Sequence, residues 1–345
     1  MTEVKRGLTL GKFAPLHRGH QRLIETGLAE MDEMLVIVYE APETTVPLAV
    51  RSGWIRVLYP TVRVIEAWDG PTEVGYAPAL MRRHERYVID ALGVRGVTHF
   101  YSSEPYGEHM SRALGAADRR IDQARQRVPV SARAVRADPF RHRRYVHPLV
   151  YRDLIVNAAF LGAPSTGKTT LAERLAGEFA TEWMPEYGRE YWERHQVARR
   201  LNPAQLVEIA ETHIARENVL LERSNRHLFT DTNALTTATF ARYYHGAVEP
   251  RLAALAEQAA ARYDLTFVCD LDIPYADTWD RSGECNRAAF QRQVIGDLKA
   301  RKVPFILLRG SLEQRVGRVR EVLGRFEKYA NPLDVLERCA NERLV

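Results

Sequence analysis

Near its middle the chain reads Gly162-Ala163-Pro164-Ser165-Thr166-Gly167-Lys168-Thr169. This is the pattern GxxxxGK followed by serine or threonine, in which successive backbone N–H groups surround a phosphate and the lysine neutralises its charge. An apolar run of strand length, residues 154–161, precedes it, and residues 169–176 follow with helical spacing. Strand, glycine-rich loop and helix in this order predict a phosphate-binding loop that extends to Thr170.

A second phosphate-binding pattern lies near the start, where the chain reads Gly11-Lys12-Phe13-Ala14-Pro15-Leu16-His17-Arg18-Gly19-His20. Residues 8–11 read as the end of a strand, and Gly19 lets the backbone bend before a helix over about 20–31. His17 and His20 then face one space at a helix N-terminus, where imidazoles and free N–H groups can bind a triphosphate. Read locally, the alternative is a helix-capping turn with two surface histidines.

Length and composition are those of an ordinary protein with two domains. The chain has 345 residues, 46% of them hydrophobic, with no apolar stretch of membrane-spanning length and no apolar leader at the N-terminus. These features predict a soluble, cytoplasmic protein with no membrane partner. The three cysteines form no CxxC pair, so they predict neither a disulfide framework nor a zinc site: Cys269, Cys285 and Cys339.

The net charge of +5 permits nucleic-acid binding, but the basic residues are unevenly distributed. Residues 118–144 contain nine arginines against three aspartates and no glutamate. A local cluster of this kind suits a polyphosphate ligand at least as well as a duplex. A solvated basic surface is the alternative interpretation for Arg143 and Arg144.

Strand-like and helical runs alternate along both halves, which predicts an α/β protein with parallel sheets and crossover helices. Residues 145–153 break the alternation just before the strand that leads into the phosphate-binding loop. This break predicts a domain boundary, with a first domain over 1–147 and a second over 148–345.

With both signatures in this order, the chain resembles the NadR-type bifunctional enzymes, which join an NMN adenylyltransferase domain to a ribosylnicotinamide kinase domain. The resemblance covers about residues 7–325. A run near the end of the first domain is similar to the family's ISxTxxR signature, keeping Ser131 and Arg136 while Arg133 and Ala134 depart from it. The other matching stretches are Tyr101-Ser102-Ser103-Glu104-Pro105-Tyr106-Gly107, Ile121-Asp122 with Arg125, Pro185-Glu186-Tyr187-Gly188-Arg189-Glu190-Tyr191, Thr230-Asp231-Thr232 and Asp272-Ile273-Pro274 with Arg281.

The resemblance implies a Rossmann-like nucleotidyltransferase domain followed by a P-loop kinase domain. The expected activities are phosphorylation of nicotinamide riboside to NMN and adenylyl transfer from ATP to NMN, which gives NAD and pyrophosphate. ATP and Mg²⁺ are the implied cofactors. Some family members carry an N-terminal helix-turn-helix domain, whereas here the first catalytic strand begins within ten residues of Met1. A repressor role is therefore not expected.

For adenylyl transfer, the NMN phosphate must attack the α-phosphorus of ATP in line, so the protein needs mainly to position two anions. His17 and His20 would contact the α- and β-phosphates, and Arg136, with Ser131 at a helix N-terminus, would hold the departing pyrophosphate. For Phe13, core packing is favoured over stacking on a base. The remaining residues predicted for this nucleotide site are Gly11, Lys12, Phe13 itself and Gly19.

For the kinase, Lys168 would hold the β- and γ-phosphates, and Thr169 would bind Mg²⁺. The resemblance favours Asp231 as the catalytic or metal-linked acid, with Asp270 or Asp272 in reserve. Residues predicted to reach the substrate are Glu186, Tyr187 and Arg189.

A segment rich in Asp, Trp and Gly reads as a lid that brings Arg281 to the phosphates. Thr278-Trp279 stands where the usual Asp-Gly pair of that lid would fall.

Two other functions remain open at this point. In one, a single domain is active and the other serves as an NAD or ATP sensor. In the other, the chain is a nucleic-acid end-processing kinase, which would need a basic groove interleaved with aromatic residues. The arginine cluster has aromatic residues only at its end, at Phe140 and Tyr145, so small nucleotides are the expected partners and nucleic acid is not. Homo-oligomer formation is left open.

Overall fold

The computed structural model describes residues 4–73, 75–105, 107–197, 201–274 and 284–331. The chain forms two compact units. The first runs to Tyr151 and includes the described residues after Phe326, and the second is Arg152–Phe326. The chain passes from one to the other within a single helix, Pro148–Leu154.

The first unit contains a five-stranded parallel sheet in the order β3-β2-β1-β4-β5. Its central strand pairs on both sides, with Leu8 opposite Leu35 and Phe100. The strand order reverses at β1, so the carboxyl ends of β1 and β4 flank the crevice where such sheets bind ligands. The strands are β1 (Arg6–Gly11), β2 (Glu33–Tyr39), β3 (Arg63–Ala67), β4 (His99–Ser102) and β5 (Ala117–Arg120).

Helices cross between these strands and cover a core that includes Leu8, Ile37 and Phe100. They are α1 (Arg18–Glu30), α2 (Leu48–Leu58), α3 (Pro78–Arg86), α4 (Gly107–Leu114), α5 (Ala132–Ala137), α6 (Pro139–His142) and α7 (Pro148–Leu154). A π-helical turn, Tyr87–Ala91, follows α3, and a 3₁₀ turn, Arg143–Tyr145, follows α6.

The second unit contains another five-stranded parallel sheet, in the order β10-β9-β6-β8-β7. Successive residues of β6 face opposite sides of the sheet, so Phe160 packs in one core and Leu161 in the other. Both faces are therefore buried under helices, as parallel strands require. The strands are β6 (Val156–Leu161), β7 (Trp183–Met184), β8 (His227–Asp231), β9 (Leu265–Cys269) and β10 (Ile306–Leu308).

The helices of this unit begin at caps that the sequence supplies. Asn202 caps α10 with Gln205 in a reciprocal capping box, and Ser311 caps α14 with Gln314 in the same way. The helices are α8 (Lys168–Phe179), α9 (Tyr187–His195), α10 (Pro203–Leu221), α11 (Ala234–His245), α12 (Pro250–Ala260), α13 (Glu284–Ala300) and α14 (Leu312–Arg325).

The predicted α/β class with parallel sheets is confirmed. The helical run over residues 77–92 predicts one continuous helix, but the α-helix ends at Arg86 and a π-helical turn follows. Sequence reasoning missed β5, in which Ala117 is followed by three charged residues and which lies at a largely exposed sheet edge where the basic stretch begins. Within the described ranges, no helix combines the length and apolar character needed to cross a membrane.

Candidate functional site

The histidine loop of the first unit lies between β1 and α1. His17 is the N-cap of α1, and its Nδ1 accepts a hydrogen bond from the Gly19 N–H at 3.1 Å. The His17 N–H in turn donates to His20 Nδ1 at 3.4 Å, and the two rings stack with centroids 3.8 Å apart. A Cβ on Gly19 would lie 2.9 Å from the His17 ring, so this position requires glycine. The two histidines thus form a capping box, a role usually filled by Ser or Thr with Glu or Gln.

Burial sets the charge of both histidines. Burial, together with the nearby charge of Arg125, lowers the pKa of His17 to about 4. Burial also holds the pKa of His20 well below its ordinary value, with contributions from His17 and Arg125. Both imidazoles are therefore neutral near pH 7. Because each Nδ1 accepts a backbone N–H, each Nε2 carries the proton and is a hydrogen-bond donor.

The histidines line a cavity of about 450 Å³ whose opposite wall is the start of α5. Ser131 caps that helix by accepting from the Ala134 N–H at 3.2 Å. Arg136 lines the cavity and donates from Nη1 to the Ala14 carbonyl at 2.5 Å, which ties this wall to the histidine loop. The backbone of His17 also forms an antiparallel bridge with Val146. His17, Gly19, His20, Ser131 and Arg136 therefore surround one space.

Three residues predicted for this nucleotide site do not line the cavity: Gly11, Lys12 and Phe13. Phe13 is buried and packs edge-on against the His20 ring, with centroids 5.0 Å apart, so it supports the histidine rather than facing the cavity. Lys12 forms an ion pair with Glu43 at 2.9 Å.

The arginines of the basic stretch, residues 118–144, have different surroundings in the structure. Arg125, Arg133 and Arg136 line the cavity. Arg119 pairs instead with Glu30 at 2.7 Å, and Arg144 lies over the Tyr145 ring. Fewer of the arginines face a ligand site than their number in the sequence suggests.

Three acids line the cavity, Glu43, Glu104 and Asp122, and none was given a role in the site from the sequence. Glu43 holds Lys12, and Glu104 holds Arg125 at 3.1 Å. Both pairs are partly exposed, where ion pairs contribute little to stability. Of the two cations only Arg125 lines the cavity, so an anion entering it would compete with Glu104 for Arg125 at small cost.

The phosphate-binding loop of the second unit connects β6 to α8 and contains backbone angles that favour glycine. Gly162 has φ +134° and Gly167 has φ +80°. A Cβ on Gly162 would lie 2.7 Å from the Cys269 carbonyl oxygen. The Lys168 side chain folds over the loop and donates from Nζ to the Ala163 carbonyl at 2.9 Å. The residues of the loop that line a cavity of about 500 Å³ are Gly162 and Pro164 to Thr170, whereas Ala163 does not line it.

Thr169 and Asp231 meet beside this loop. The Thr169 hydroxyl donates to Oδ2 of Asp231, the last residue of β8, whereas the buried Oδ1 has no hydrogen-bond partner. Burial, with repulsion from Glu186, raises the pKa of Asp231 to about 6. A buried carboxylate oxygen without a donor, next to the loop hydroxyl, fits the oxygen ligands that Mg²⁺ prefers.

The two reserve acids are engaged elsewhere. Asp270 accepts from Arg309 Nε at 2.7 Å and from the Leu271 N–H at 2.8 Å. Asp272 pairs with Arg315 and accepts from the Gly310 N–H at 2.5 Å. None of the three aspartates lines the cavity, but the Asp231 side chain is bonded directly to Thr169 at the phosphate-binding loop, whereas those of Asp270 and Asp272 are bonded to other residues.

Part of the lining of the same cavity is apolar and aromatic, and this part is called its aromatic end. Its residues, which sequence reasoning missed, include Trp192, Leu206, Ile209, Phe240 and Tyr244. Glu186 and Arg189 also line the cavity and form an ion pair at 3.6 Å. The five residues of the aromatic end come from three helices, and helical spacing alone does not distinguish a ring that lines a cavity from one in the core.

Tyr187, predicted to bind substrate, does not line the cavity. Its ring lies under the Arg216 guanidinium, 4.0 Å from ring centroid to Cζ, and edge-on to Tyr191. The predicted lid residues, Arg281 and Thr278-Trp279, lie outside the described residues.

Fold and sites together define a nucleotide-binding α/β protein of two units, one with a histidine-capped helix N-terminus and one with a P-loop. A protein family described as an AAA domain matches residues 157–315. The chain is 25% identical over 343 residues to the trifunctional NAD biosynthesis/regulator protein NadR of Salmonella typhimurium, covering 92% of this chain and 83% of that protein. The chain is homologous to the NadR proteins.

Crystal structures of NadR have the same fold. One, in complex with NAD and AMP-PNP, superposes with a TM-score of 0.55 at 20% identity and covers 95% of this chain and 99% of its own. Another, in complex with NR, has a TM-score of 0.57 at 21% identity and covers 93% and 95%. The two-unit architecture is therefore shared with proteins that bind these ligands.

Proposed function

We propose that the chain makes NAD in two steps. The second unit transfers the γ-phosphoryl group of ATP to nicotinamide riboside, giving NMN. The first unit transfers the adenylyl group of a second ATP to NMN, giving NAD and pyrophosphate. Homology to the trifunctional NAD biosynthesis/regulator protein NadR supports the pathway, and the two separate sites support the two steps.

The observation that carries the proposal is the second cavity, which joins a phosphate-binding loop to an aromatic end within about 500 Å³. The loop suits the triphosphate of ATP. The rings of Trp192, Phe240 and Tyr244 suit a flat heteroaromatic base, since such rings stack favourably. A nucleoside that fills the aromatic end would direct its ribose toward Glu186 and the phosphates.

In the kinase step, Lys168 would leave the Ala163 carbonyl and bind the β- and γ-phosphates. Thr169 and Asp231 would hold Mg²⁺, which neutralises charge on the phosphates. Because Asp231 is bonded to Thr169, the acid left to orient the ribose hydroxyl is Glu186, which lines the cavity and is held by Arg189.

In the adenylyl step, the Nε2–H groups of His17 and His20 would donate to the α- and β-phosphates of ATP. Arg136 and the N-terminus of α5 would stabilise the leaving pyrophosphate from the opposite wall. The NMN phosphate attacks the α-phosphorus directly, so no covalent enzyme intermediate is needed.

The test is to incubate the protein with ATP, Mg²⁺ and nicotinamide riboside and to follow NMN and NAD by chromatography. Lys168→Ala should abolish NMN formation from the riboside but still convert supplied NMN to NAD. His20→Ala should accumulate NMN without NAD. If each variant loses both activities, the assignment of two sites is wrong, and a wild-type protein with only one activity would favour a sensor role for the other unit.

A further inference from the structure

Two buried arginines lie under the phosphate-binding loop of the second unit, on neighbouring carbonyls. Arg287, from α13, donates from Nη2 to the Ser165 carbonyl at 2.9 Å. Arg315, from α14, donates from Nη1 to the Thr166 carbonyl at 2.6 Å. Their exposed fractions are 7% and 2%, so both charges are withdrawn from water. Neither arginine lines the cavity.

These contacts fix the orientation of two peptide planes. In a trans peptide the C=O of one residue and the N–H of the next point in opposite directions. Arg287 holds the Ser165 carbonyl, so the Thr166 N–H points away from Arg287. Arg315 holds the Thr166 carbonyl, so the Gly167 N–H points away from Arg315. Both Thr166 and Gly167 line the cavity. We propose that Arg287 and Arg315 are positioning residues that preset these two N–H groups for the phosphates of ATP.

Each guanidinium is itself held by further partners away from the phosphates. Arg315 donates to the Gly310 carbonyl at 3.1 Å and to the carboxylate of Asp272. Arg287 donates also to the Ile273 carbonyl at 3.0 Å. With several donors engaged in this way, each arginine acts on the phosphates through the backbone of the loop rather than by direct contact.

A third side chain completes the support at the start of the loop. Gln291, one turn of α13 beyond Arg287, accepts from the Ala163 N–H at 2.7 Å and donates to the Cys269 carbonyl at 3.0 Å. The loop is thus held by side chains of α13 and α14 as well as by its own hydrogen bonds. A phosphate site with preset donors loses less entropy on binding than one that must order them.

The inference rests on the proposed function only in that the second site binds ATP. In the full chain, Arg287→Met and Arg315→Met should each raise the KM for ATP in riboside phosphorylation roughly tenfold to hundredfold, the effect of one lost hydrogen bond to a charged group. The KM for nicotinamide riboside and the rate of adenylyl transfer to NMN should change less than about twofold. Matched controls are Arg292→Met on α13 and Arg318→Met on α14, which are exposed and should behave as wild type.

Conservative variants separate positioning from general support of the fold. Lysine can donate to one carbonyl but cannot form the fork of arginine. Arg315→Lys should therefore recover most of the affinity for ATP that Arg315→Met loses. Equal defects in the two variants, or a rise in the KM for both substrates, would overturn the proposal. The lysine variant also keeps the test valid if the methionine variant does not fold.

Binding of Mg-ADP provides a measurement that does not depend on the acceptor. Mg-ADP is titrated into the full chain in a calorimeter. The part of the binding that is lost in Lys168→Ala is the binding at the phosphate-binding loop. That binding should weaken in Arg287→Met and Arg315→Met, and unchanged affinity would refute the positioning role. If the wild type binds Mg-ADP through Lys168 but does not phosphorylate the riboside, the proposed function fails while this inference is still decided by the titration.

Discussion

The hydroxyl of Thr169 donates to one carboxylate oxygen of Asp231, and the other oxygen, buried at the end of β8, accepts no hydrogen bond. This pair lies beside the phosphate-binding loop, whereas Asp270, which follows β9 on the other side of β6, is bonded to Arg309. Two aspartates near the carboxyl ends of strands thus have different surroundings, although the sequence presents both as candidates.

Asp231→Asn should lower the rate of NMN formation by about 100-fold or more, because the metal site loses its anionic ligand and transition-state charge is less well stabilised. Asp270→Asn is the matched control and should keep the rate within about threefold. Initial rates with ATP and nicotinamide riboside measure both. A larger loss in Asp270→Asn than in Asp231→Asn would mean that the acids have been assigned the wrong way round.

Gly19→Ala should impair adenylyl transfer, because its new Cβ would lie 2.9 Å from the His17 ring. Moving that ring breaks the hydrogen bond that selects the Nε2–H tautomer, so we expect a loss of about tenfold in kcat/KM. In the control Gly53→Ala, on α2, the Cβ meets nothing within 4 Å. That variant should keep full activity and gain about 0.5–1 kcal/mol in the free energy of unfolding. Equal activity in the two variants would argue against a need for glycine at position 19.

Tyr244→Ala should raise the KM for nicotinamide riboside about threefold to tenfold, the effect of losing one ring contact, and leave the KM for ATP unchanged. Tyr244 lines the aromatic end of the cavity, and 39% of its surface is exposed, so truncation should leave the fold intact. Steady-state kinetics with each substrate varied in turn provide the measurement. A selective effect on ATP would place the riboside elsewhere.

His213 should make the stability of the protein depend on pH. Burial, together with the nearby charges of Arg262 and Arg216, lowers its pKa from 6.5 to about 4. The contribution of His213 to the free energy of unfolding is complete above pH 6.5. It is lost as the pH falls toward 4, because the unfolded chain takes up the proton at a higher pH than the folded chain does. The full shift corresponds to about 3 kcal/mol.

The midpoint temperature of thermal unfolding should therefore decrease as the pH is lowered from 7 to 5. The decrease should be less steep in His213→Leu than in the wild type. His17 and His227 have similarly lowered pKa values, so part of the slope should remain. The exposed His245→Gln is the control and should keep the wild-type slope. Parallel curves for wild type and His213→Leu would show that His213 does not carry the effect.

Much of the architecture could be predicted because its signals are local. The sequence predicts strands over residues 227–231 and 265–269, and the structure has the same bounds, since each is a short, largely apolar run. The two-residue strand Trp183–Met184 was not predicted, because it is defined only by its pairing with β8.

In the two sites, too, some residues could be predicted from the sequence and others could not. The residues of the histidine loop and the phosphate-binding loop are adjacent in sequence, so their grouping could be predicted. Arg287, Gln291 and Arg315 could not be recognised, because they reach the phosphate-binding loop from helices more than 100 residues away. Helical periodicity predicts which residues face inward but not which carbonyl a buried arginine meets.

The backbone bridge between His17 and Val146 has a practical consequence for cutting the chain. It fastens the histidine loop to the last turn before the chain enters the second unit. A protease nick or an artificial chain end between Ala137 and Val146 would free one side of that bridge and loosen the loop. A fragment intended to perform adenylyl transfer alone should therefore extend at least through Tyr151, and a fragment cut there still lacks the described residues after Phe326 that belong to the first unit.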